Sequence, residues 1–273
     1  MTLGVWLPLA KARLSAAGIE AASLESHLLA AHIFRMDRAW VIAHPEVELN
    51  ELAAEALLQR REAREPLAYI LGWREFYGRR FSVSQAVLIP RQETEVLVEV
   101  MLDLSAVGPV LDLCTGSGCI GITVKLERPS LDVYVSDVSP GALEVAEHNA
   151  EALHSDVHLI LSDGFDSLPP VQFEVIGSNP PYISTGESLM PEVSGFEPET
   201  ALFSGPTGLE FYERIALQAP RHLKPNGFVA AEVGHTQSEA VAEIFSIKGW
   251  QVTEVVRDLS GIERVVVAKR EWN

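Results

Sequence analysis

Short apolar runs alternate with helical stretches from residue 109 to the end of the 273-residue chain. The seven runs that read as buried strands span 109–113, 131–136, 157–161, 173–178, 227–232, 250–257 and 262–269. Helical stretches such as 140–153 and 208–223 separate the earlier runs, and this alternation predicts a mostly parallel sheet with right-handed crossovers. The connection at 258–261 is too short for a crossover helix, so the last two strands should pair antiparallel.

A glycine-rich turn follows the first of these strands. Gly116, Gly118 and Gly121 satisfy the spacing G-x-G-x-x-G, and Asp137 lies 21 residues after Gly116. This pattern is typical of a loop that lets a nucleoside-containing ligand approach the backbone while an acid binds a ribose hydroxyl. A second role is open to Asp137, because either it or Ser139 can cap the helix that begins at residue 140.

The acid ahead of the glycines, Asp112, discriminates among nucleoside ligands. A carboxylate at the end of the first strand would repel a pyrophosphate and favour a cationic ligand. S-adenosylmethionine carries an ammonium group and a sulfonium and has no phosphate, so it suits this position. The alternative interpretation is that loop amides satisfy the Asp112 carboxylate.

The sequence Asn179-Pro180-Pro181-Tyr182 ends the strand at 173–178. Each proline removes a backbone donor and biases the preceding residue toward an extended conformation. The turn therefore lies at the carboxyl edge of the sheet, where open α/β sheets bind ligands. It presents the Asn179 side-chain oxygen and the Pro180 carbonyl as two acceptors beside the Tyr182 ring, and two acceptors suit the hydrogens of a planar NH2 group. An ordinary strand-ending turn is the alternative.

Residues 1–72 are predicted to form a small helical domain. One helix would end at Gly18, a second would be capped by Ser23, and a third would be capped by Asn50. Residues 73–90 form the predicted linker, with a β-hairpin around Tyr77-Gly78-Arg79-Arg80, and the α/β domain spans 91–273.

Charge and composition exclude several classes of protein. Residues 81–273 carry 11 basic and 28 acidic residues and account for the whole net charge of −17, which disfavours binding to phosphate backbones. No apolar run approaches the ~18 residues of a membrane span, and the start does not resemble a secretory signal. Cys114 and Cys119 fit neither a disulfide framework nor a zinc pattern, and the eight histidines form no ligand-spaced cluster. We therefore expect a cytoplasmic protein without a metal site and without membrane or direct nucleic-acid contacts.

The motifs together resemble a known family. The stretch Asp112-Leu113-Cys114-Thr115-Gly116-Ser117-Gly118, Asp137 and the tetrapeptide at 179–182 resemble class I S-adenosylmethionine-dependent methyltransferases that act on a planar amino group. Further stretches over roughly 60–270 resemble the peptide chain release factor glutamine methyltransferases. These stretches are Glu65-Pro66-Leu67-Ala68-Tyr69-Ile70-Leu71-Gly72, Arg74-Glu75-Phe76-Tyr77-Gly78, Leu88-Ile89-Pro90-Arg91 with Thr94-Glu95, Glu197-Pro198 with Ala201-Leu202 and Gly208-Leu209, and Glu263-Arg264-Val265.

The resemblance implies both fold and function. It implies a Rossmann-like class I methyltransferase domain, with a seven-stranded, mostly parallel sheet and an antiparallel last strand. A small helical substrate-docking domain and a hairpin linker would precede it. The cofactor would be S-adenosyl-L-methionine. The protein substrate would be a class 1 peptide chain release factor, methylated at the glutamine of its Gly-Gly-Gln motif, a modification that belongs to translation termination.

The resemblance also implies the site residues. The cofactor would contact Cys114, Thr115, Gly116, Ser117, Gly118, Asp137, Gly164 and Asn179. The substrate would contact Asn179, Pro180, Pro181 and Tyr182, of which Asn179, Pro180 and Tyr182 would be catalytic. Two departures from the family pattern stand out: Gln92-Glu93 follows Arg91 where proline and aspartate are common, and Gly164 follows Asp163 where an aromatic residue is common. The adenine would therefore stack on Phe165 or rest on the Gly164 backbone.

The chemistry that the resemblance implies needs a positioned nitrogen. An amide lone pair is delocalised into the carbonyl, so it must be aimed at the sulfonium methyl. We expect the Asn179 oxygen and the Pro180 carbonyl to accept the two N–H groups, with Tyr182 packed against the amide to exclude water. The long segment 183–207 is expected to be a lid or a substrate clamp.

Three alternatives stay open at this point. An adenine amino-group methyltransferase acting on DNA or RNA uses a similar tetrapeptide, because the adenine NH2 is also planar and conjugated. A nicotinamide dehydrogenase is supported by the glycine spacing and the distal acid, but leaves the tetrapeptide unexplained. A non-catalytic binding module would need neither feature intact.

Overall fold

The computed structural model describes residues 1–270, which form two compact units. The first unit comprises Met1–Trp73 together with Leu189–Phe196, and the second comprises Arg74–Ser188 and the described chain from Glu197 onward. The helices are α1 (Leu3–Ala16), α2 (Ala22–Phe34), α3 (Arg38–Ala43), α4 (Glu51–Glu62), α5 (Leu67–Leu71), α6 (Glu95–Leu104), α7 (Cys119–Glu127), α8 (Pro140–Ala152), α9 (Pro191–Phe196), α10 (Glu199–Leu202), α11 (Glu210–Gln218) and α12 (Ser238–Ile247). The strands are β1 (Trp73–Phe76), β2 (Arg79–Ser82), β3 (Val110–Leu113), β4 (Val133–Asp137), β5 (His158–Leu161), β6 (Phe173–Ser178), β7 (Ile183–Ser184), β8 (Phe203–Gly205), β9 (Leu223–Glu232), β10 (Trp250–Arg257) and β11 (Glu263–Arg270). None of the helices within residues 1–270 is both long and apolar enough to cross a membrane.

The first unit contains α1 to α5 and α9 around a core of aliphatic and aromatic side chains. Asn50 caps α4 as expected, because its side-chain oxygen accepts from the Ala53 backbone N–H at 3.2 Å. The predicted cap at Ser23 is wrong. Helix α2 begins one residue earlier, at the buried Ala22, and no side chain caps it. The segment carrying α9 joins this unit through Glu192, whose Oε1 lies 2.5 Å from Arg64 Nη2.

The second unit is built on a seven-stranded sheet with the order β10-β11-β9-β6-β3-β4-β5. Strand β11 pairs antiparallel with both neighbours, and the other pairs are parallel. This confirms the predicted sheet and its antiparallel last strand. The turn before β11 is tight because the Asp258 carboxylate accepts backbone N–H groups of Ser260 and Ile262 at 2.9 and 3.0 Å.

The start of β9 and the content of the segment at 183–207 differ from the sequence prediction. Strand β9 begins at Leu223 instead of residue 227, because the Pro225-Asn226-Gly227 stretch forms an irregularity within the strand and not a turn before it. Asn226 has a positive φ of 65° at that point. The segment at 183–207 is also less irregular than a loop, since it contains α9, α10 and the parallel pair of β7 and β8.

Helix α7 packs very close to the sheet. A Cβ atom on Gly121 would lie 2.4 Å from Val135 Cγ1 and 3.1 Å from Asp112 Cβ. The third glycine of the G-x-G-x-x-G pattern is therefore required by helix–sheet contact, whatever the loop binds. This contact fixes the start of α7 against the ends of β3 and β4.

The predicted hairpin is present as β1 and β2, joined by two residues with positive φ, Tyr77 at 52° and Gly78 at 69°. Asn149 in α8 anchors it. The Asn149 side chain accepts from Ser82 N at 2.7 Å and donates to Ser82 O at 3.0 Å and to Ser117 O at 2.9 Å. One buried amide thus ties the hairpin to the glycine turn.

We expect Asn149→Ala to destabilise the protein by about 2–4 kcal/mol, because it leaves three backbone groups without partners. Urea unfolding followed by fluorescence measures the change. Glu147→Ala, an exposed substitution on the same helix, is the control and should change the free energy of unfolding by less than about 0.5 kcal/mol. A similar effect of the two substitutions would contradict this account of Asn149.

Candidate active site

A cavity opens at the carboxyl end of the sheet. Its lining includes seven of the residues expected to hold a cofactor: Cys114, Thr115, Gly116, Ser117, Asp137, Gly164 and Asn179. The eighth, Gly118, is the N-cap of α7 and has a φ of 81°. Pro181 also lines the cavity, whereas Pro180 and Tyr182 are not among its lining residues, and Pro180 is buried.

Asp112 stabilises the glycine turn from inside the fold. Its Oδ2 accepts from the Thr115 hydroxyl at 2.5 Å and from Gly121 N at 2.9 Å. The side chain is fully buried and does not line the cavity, so the expectation that it faces a cationic ligand is wrong. The alternative interpretation holds for one oxygen only, because Oδ1 has no partner within residues 1–270. Burial raises the pKa of Asp112 to about 6, and the two hydrogen bonds oppose that effect.

Asp137 faces the cavity and also shapes its wall. Its Oδ2 accepts from Gly116 N and its Oδ1 accepts from Ser139 N, each at 2.9 Å. The helix cap is Ser139, whose hydroxyl accepts from Ala142 N at 3.2 Å. A carboxylate has about four lone-pair sites, so Asp137 retains capacity for two ribose hydroxyls. Burial raises the pKa of Asp137, and the backbone donors oppose that shift.

Asp163 and Gly164, which follow β5, form another part of the cavity wall. Arg214 donates through Nη1 to Asp163 Oδ1 at 2.5 Å and through Nη2 to Asp163 O at 2.6 Å. Of the two residues considered for the adenine, Gly164 lines the cavity. Phe165 is buried in the core, with its ring centroid 5.3 Å from that of His222. Asp163 itself lines the cavity, and its place after a strand was the sequence signal for it.

Asn179 lies next to the glycine turn because of strand register. Ser178 pairs with Leu113 across β6 and β3, and the Ser178 hydroxyl donates to Leu113 O at 2.7 Å. The Asn179 Nδ2 donates to Thr94 Oγ1 at 3.2 Å. Its Oδ1 is buried and has no hydrogen-bond partner among residues 1–270. A buried acceptor without a partner is costly, and its position at a cavity wall points to a donor on a ligand.

Two polar residues that were not predicted as site residues lie beside Asn179. Thr94 contacts Asn179, and Glu232 follows Ala231, the residue paired with Ser178 across β6 and β9. Glu232 is only 3% exposed, and its Oε2 has no partner within the described chain. Burial raises the pKa of Glu232 to about 7, while the Thr94 hydroxyl and Arg264 oppose the shift.

Tyr182, the last residue of the tetrapeptide, is held in place through its backbone carbonyl. Gln237 Nε2 donates to the Tyr182 carbonyl at 2.8 Å, and the Tyr182 ring packs against the apolar cluster that contains Tyr212 and Val233. Burial, followed by the nearby Glu232 carboxylate, raises the pKa of the Tyr182 hydroxyl. Tyr182 therefore supports the turn from the core side in this structure.

The segment after the tetrapeptide supplies another wall through Pro198, Thr200 and Ala201. It is held in place by Glu197, whose Oε1 lies 2.5 Å from Arg91 Nη2 and whose Oε2 accepts from Ile89 N at 3.2 Å. Arg91 also lines the cavity.

The charges around the cavity select among nucleoside ligands. Asp137 brings a carboxylate without a cationic partner to the lining, whereas Asp163 is paired with Arg214 and Arg91 is paired with the buried Glu197. A pyrophosphate would meet repulsion here, which disfavours a nicotinamide dinucleotide.

Comparison with known proteins agrees with this geometry. Residues 6–72 match the family described as the PrmC N-terminal domain, and residues 91–193 match the methyltransferase small domain. The chain is 40% identical to the release factor glutamine methyltransferase of Koribacter versatilis over 99% of both chains. It is 44% identical to that of Cereibacter sphaeroides over 94% of both chains. A methyltransferase structure from Pyrococcus furiosus, at 19% identity and a TM-score of 0.54, covers 82% of this chain and is wholly covered by it, which shows a shared fold.

The fold and the cavity define a class I methyltransferase. Within that class, the chain belongs to the release factor glutamine methyltransferase family. The family resemblance inferred from the sequence motifs is thereby confirmed.

The raised pKa of Glu232 makes a testable contribution to stability. Between the ordinary value of 4.5 and the native value of about 7, the native state holds a proton that the unfolded state has released. Stability from this residue therefore falls as the pH rises through that range and is lost above it. We expect Glu232→Gln to match the parent near pH 4.5 and to be more stable at pH 8, by at most ~3 kcal/mol.

Urea unfolding at the two pH values measures that difference. Glu151→Gln, which changes an exposed carboxylate on α8, is the control and should show the same small difference at both pH values. If the Glu232→Gln difference were also independent of pH, the buried carboxylate would not titrate as described.

Proposed function

We propose that the chain transfers a methyl group from S-adenosyl-L-methionine to the side-chain amide nitrogen of the glutamine in the Gly-Gly-Gln motif of a class 1 peptide chain release factor. The observation that carries the proposal is the buried, unpartnered Oδ1 of Asn179 at the wall of the cavity. Membership of the family supports it. The substrate is a translation factor, so the proposed site of action is the cytoplasm.

The cavity offers recognition for each part of the cofactor. Asp137 would accept from the ribose hydroxyls, and the open side of Gly116, where a Cβ would meet nothing within 4 Å, lets the ligand approach the loop. Asp163 and Gly164 would border the adenine. Cys114, Thr115, Ser117 and Asn179 would line the remaining contact surface.

The residues at 179–182 would position the substrate amide. The Asn179 oxygen and the Pro180 carbonyl would accept its two N–H groups, so that the nitrogen lone pair is directed at the methyl donor. Bound S-adenosyl-L-methionine supplies the methyl carbon, and transfer forms an N–C bond as the C–S bond breaks, while one proton leaves the nitrogen for water. Both acceptors also stabilise the positive charge that grows on nitrogen. Pro181 and Tyr182 would hold the turn rigid and keep water away.

We expect Asn179→Ala to lower turnover of a Gly-Gly-Gln peptide by roughly 100- to 1,000-fold, because the nitrogen loses one positioning acceptor. The dissociation constant of S-adenosyl-L-methionine should change by no more than about threefold, since Asn179 is one contact among many. Mass spectrometry of the peptide and calorimetry with the cofactor measure the two quantities. Asn50→Ala, which removes a helix cap in the first unit, is the matched control with normal turnover; near-normal turnover of Asn179→Ala would refute the role.

The division of labour along the chain is a separate part of the proposal. Residues 1–72 would dock the body of the release factor, residues 73–90 would connect, and the chain from 91 to 273 would carry out transfer. Large apolar side chains on the first unit support a docking role, since Val5, Leu9 and Leu52 are 55%, 51% and 87% exposed.

We expect the triple substitution Val5→Ser, Leu9→Ser and Leu52→Ser to raise the KM for an intact release factor by roughly tenfold, because apolar contact area is lost. Turnover of a short Gly-Gly-Gln peptide should not change. Leu259→Ser, at a fully exposed leucine of the second unit, is the control and should alter neither substrate. An equal effect on the peptide and on the intact factor would refute docking through these side chains.

A further inference from the structure

The adenine of the proposed cofactor has no aromatic partner at the two positions considered for it. Gly164 lines the cavity but has no side chain, and Phe165 is 4% exposed and packs in the core. An aromatic side chain is a common partner for a base, because every base has a π-face that can stack on it. An aromatic contact for the adenine would have to come from another segment of the chain.

Phe211 brings an aromatic side chain to the cavity wall. Among the described residues that line the cavity, it is the one aromatic residue. It lies in the first turn of α11 and is half-buried, packed against the apolar cluster that contains Phe165 and Ile215. The Phe211 backbone N–H donates to Ser204 Oγ at 2.8 Å, which holds the start of the helix in place. No sequence motif marks this position, because Phe211 reaches the cavity through the packing of α11.

Arg214 joins Phe211 to the segment that follows β5. It lies three residues after Phe211 on the same face of α11, and its Cζ lies 5.8 Å from the centroid of the Phe211 ring. Its Nη2 donates to the Asp163 carbonyl at 2.6 Å, and its Nη1 donates to Asp163 Oδ1 at 2.5 Å. One guanidinium group therefore holds two parts of the cavity wall together, the start of α11 and the turn at 163–164.

The same guanidinium group explains the glycine at position 164. A Cβ atom on Gly164 would lie 2.7 Å from Arg214 Cζ and 2.9 Å from its Nε. The φ of Gly164 is 56°, a left-handed conformation that favours glycine. Arg214 thus occupies the space that a side chain at 164 would need. The glycine stands where an aromatic residue is common in the family, and the aromatic residue of this wall lies on α11 instead.

We propose that Phe211 is the aromatic contact of the adenine ring, and that Arg214 is the positioning residue that holds Phe211 against the turn at 163–164. The inference rests on the proposed function in its choice of cofactor, because the adenine belongs to S-adenosyl-L-methionine. Stacking adds affinity for a flat base and tolerates any base, and a cation beside the ring strengthens such a contact.

Calorimetry with S-adenosyl-L-methionine and with adenosine tests the contact. Phe211→Ala should raise both dissociation constants by roughly 10- to 100-fold, because the base loses its stacking partner. Phe211→Leu keeps an apolar side chain in the cluster and removes the ring, so it should raise both constants by at least about fivefold. Phe211→Tyr keeps the ring and should bind within about threefold of the parent. Equal losses for the two ligands assign the effect to the nucleoside that they share.

Phe228→Ala is the matched control. Phe228 is also half-buried beside a cation, with Lys269 Nζ 5.7 Å from its ring centroid, but it is not among the cavity-lining residues. It should leave both dissociation constants within about threefold of the parent, and urea unfolding measures the packing that each phenylalanine contributes. Unchanged binding by Phe211→Ala or Phe211→Leu would overturn the inference, as would a loss of affinity for S-adenosyl-L-methionine without a loss for adenosine.

Arg214→Gln tests the positioning residue, and adenosine is the better probe because it is uncharged. The substitution alone should raise the dissociation constant of adenosine by roughly 5- to 10-fold, because the Phe211 ring loses its link to the turn at 163–164. Added to Phe211→Ala, it should weaken binding by no more than about a further twofold, since it acts through the ring. Multiplying effects, or normal binding by Arg214→Gln, would show that Arg214 does not position Phe211.

The parent protein separates this inference from the proposed function. If the parent binds S-adenosyl-L-methionine and Phe211→Ala binds it equally well, the proposed function stands and the aromatic contact is wrong. If the parent binds neither S-adenosyl-L-methionine nor adenosine, the choice of cofactor is wrong and both proposals fail.

Discussion

The arrangement of the site depends on the place of β6 between β3 and β9. Parallel strands end at the same edge of a sheet, and the register puts Ser178 level with Leu113 on one side and with Ala231 on the other. The next residue of each strand is therefore Cys114 of the glycine turn, Asn179 of the tetrapeptide and Glu232. A one-residue slip would turn the side chains of β6 to the opposite face, so a single register relation brings the cofactor wall and the acceptor together.

Buried polar groups hold this edge rigid from behind. Asp112 and Asp137 accept backbone N–H groups of the glycine turn, and Asn149 binds the same turn to the hairpin. Burial raises the pKa of both carboxylates, which means that desolvation of each charged group costs free energy on folding. These hydrogen bonds hold the donors and acceptors of the loop in a fixed orientation before a ligand binds. The loop therefore loses less conformational entropy on binding.

Much of the fold could be predicted from the sequence, because strand–helix alternation and the short turn at 258–261 are local signals. The cavity residues after β3, β4 and β6 could be located for the same reason, since each lies at the end of a recognisable strand. Thr94 and Glu232 could not be interpreted in this way, because their neighbours are set by tertiary contacts that leave no local pattern. The predicted helix cap at Ser23 failed for a similar reason. Helix α2 begins at the buried Ala22, where packing and not a capping side chain accompanies the start of the helix.

Recognition of the reacting group and recognition of the macromolecule are separate problems in this protein. Two acceptors fit any planar NH2 group, and an adenine amino group satisfies them as well as a glutamine amide does. The choice between these substrates must therefore come from outside the tetrapeptide. The chain from residue 81 onward carries 28 acidic residues against 11 basic ones, so a polyanionic strand would be repelled on approach, whereas a protein loop would not. If the tetrapeptide positions the reacting amino group as proposed, the charge of the surrounding surface favours a protein substrate over a nucleic acid.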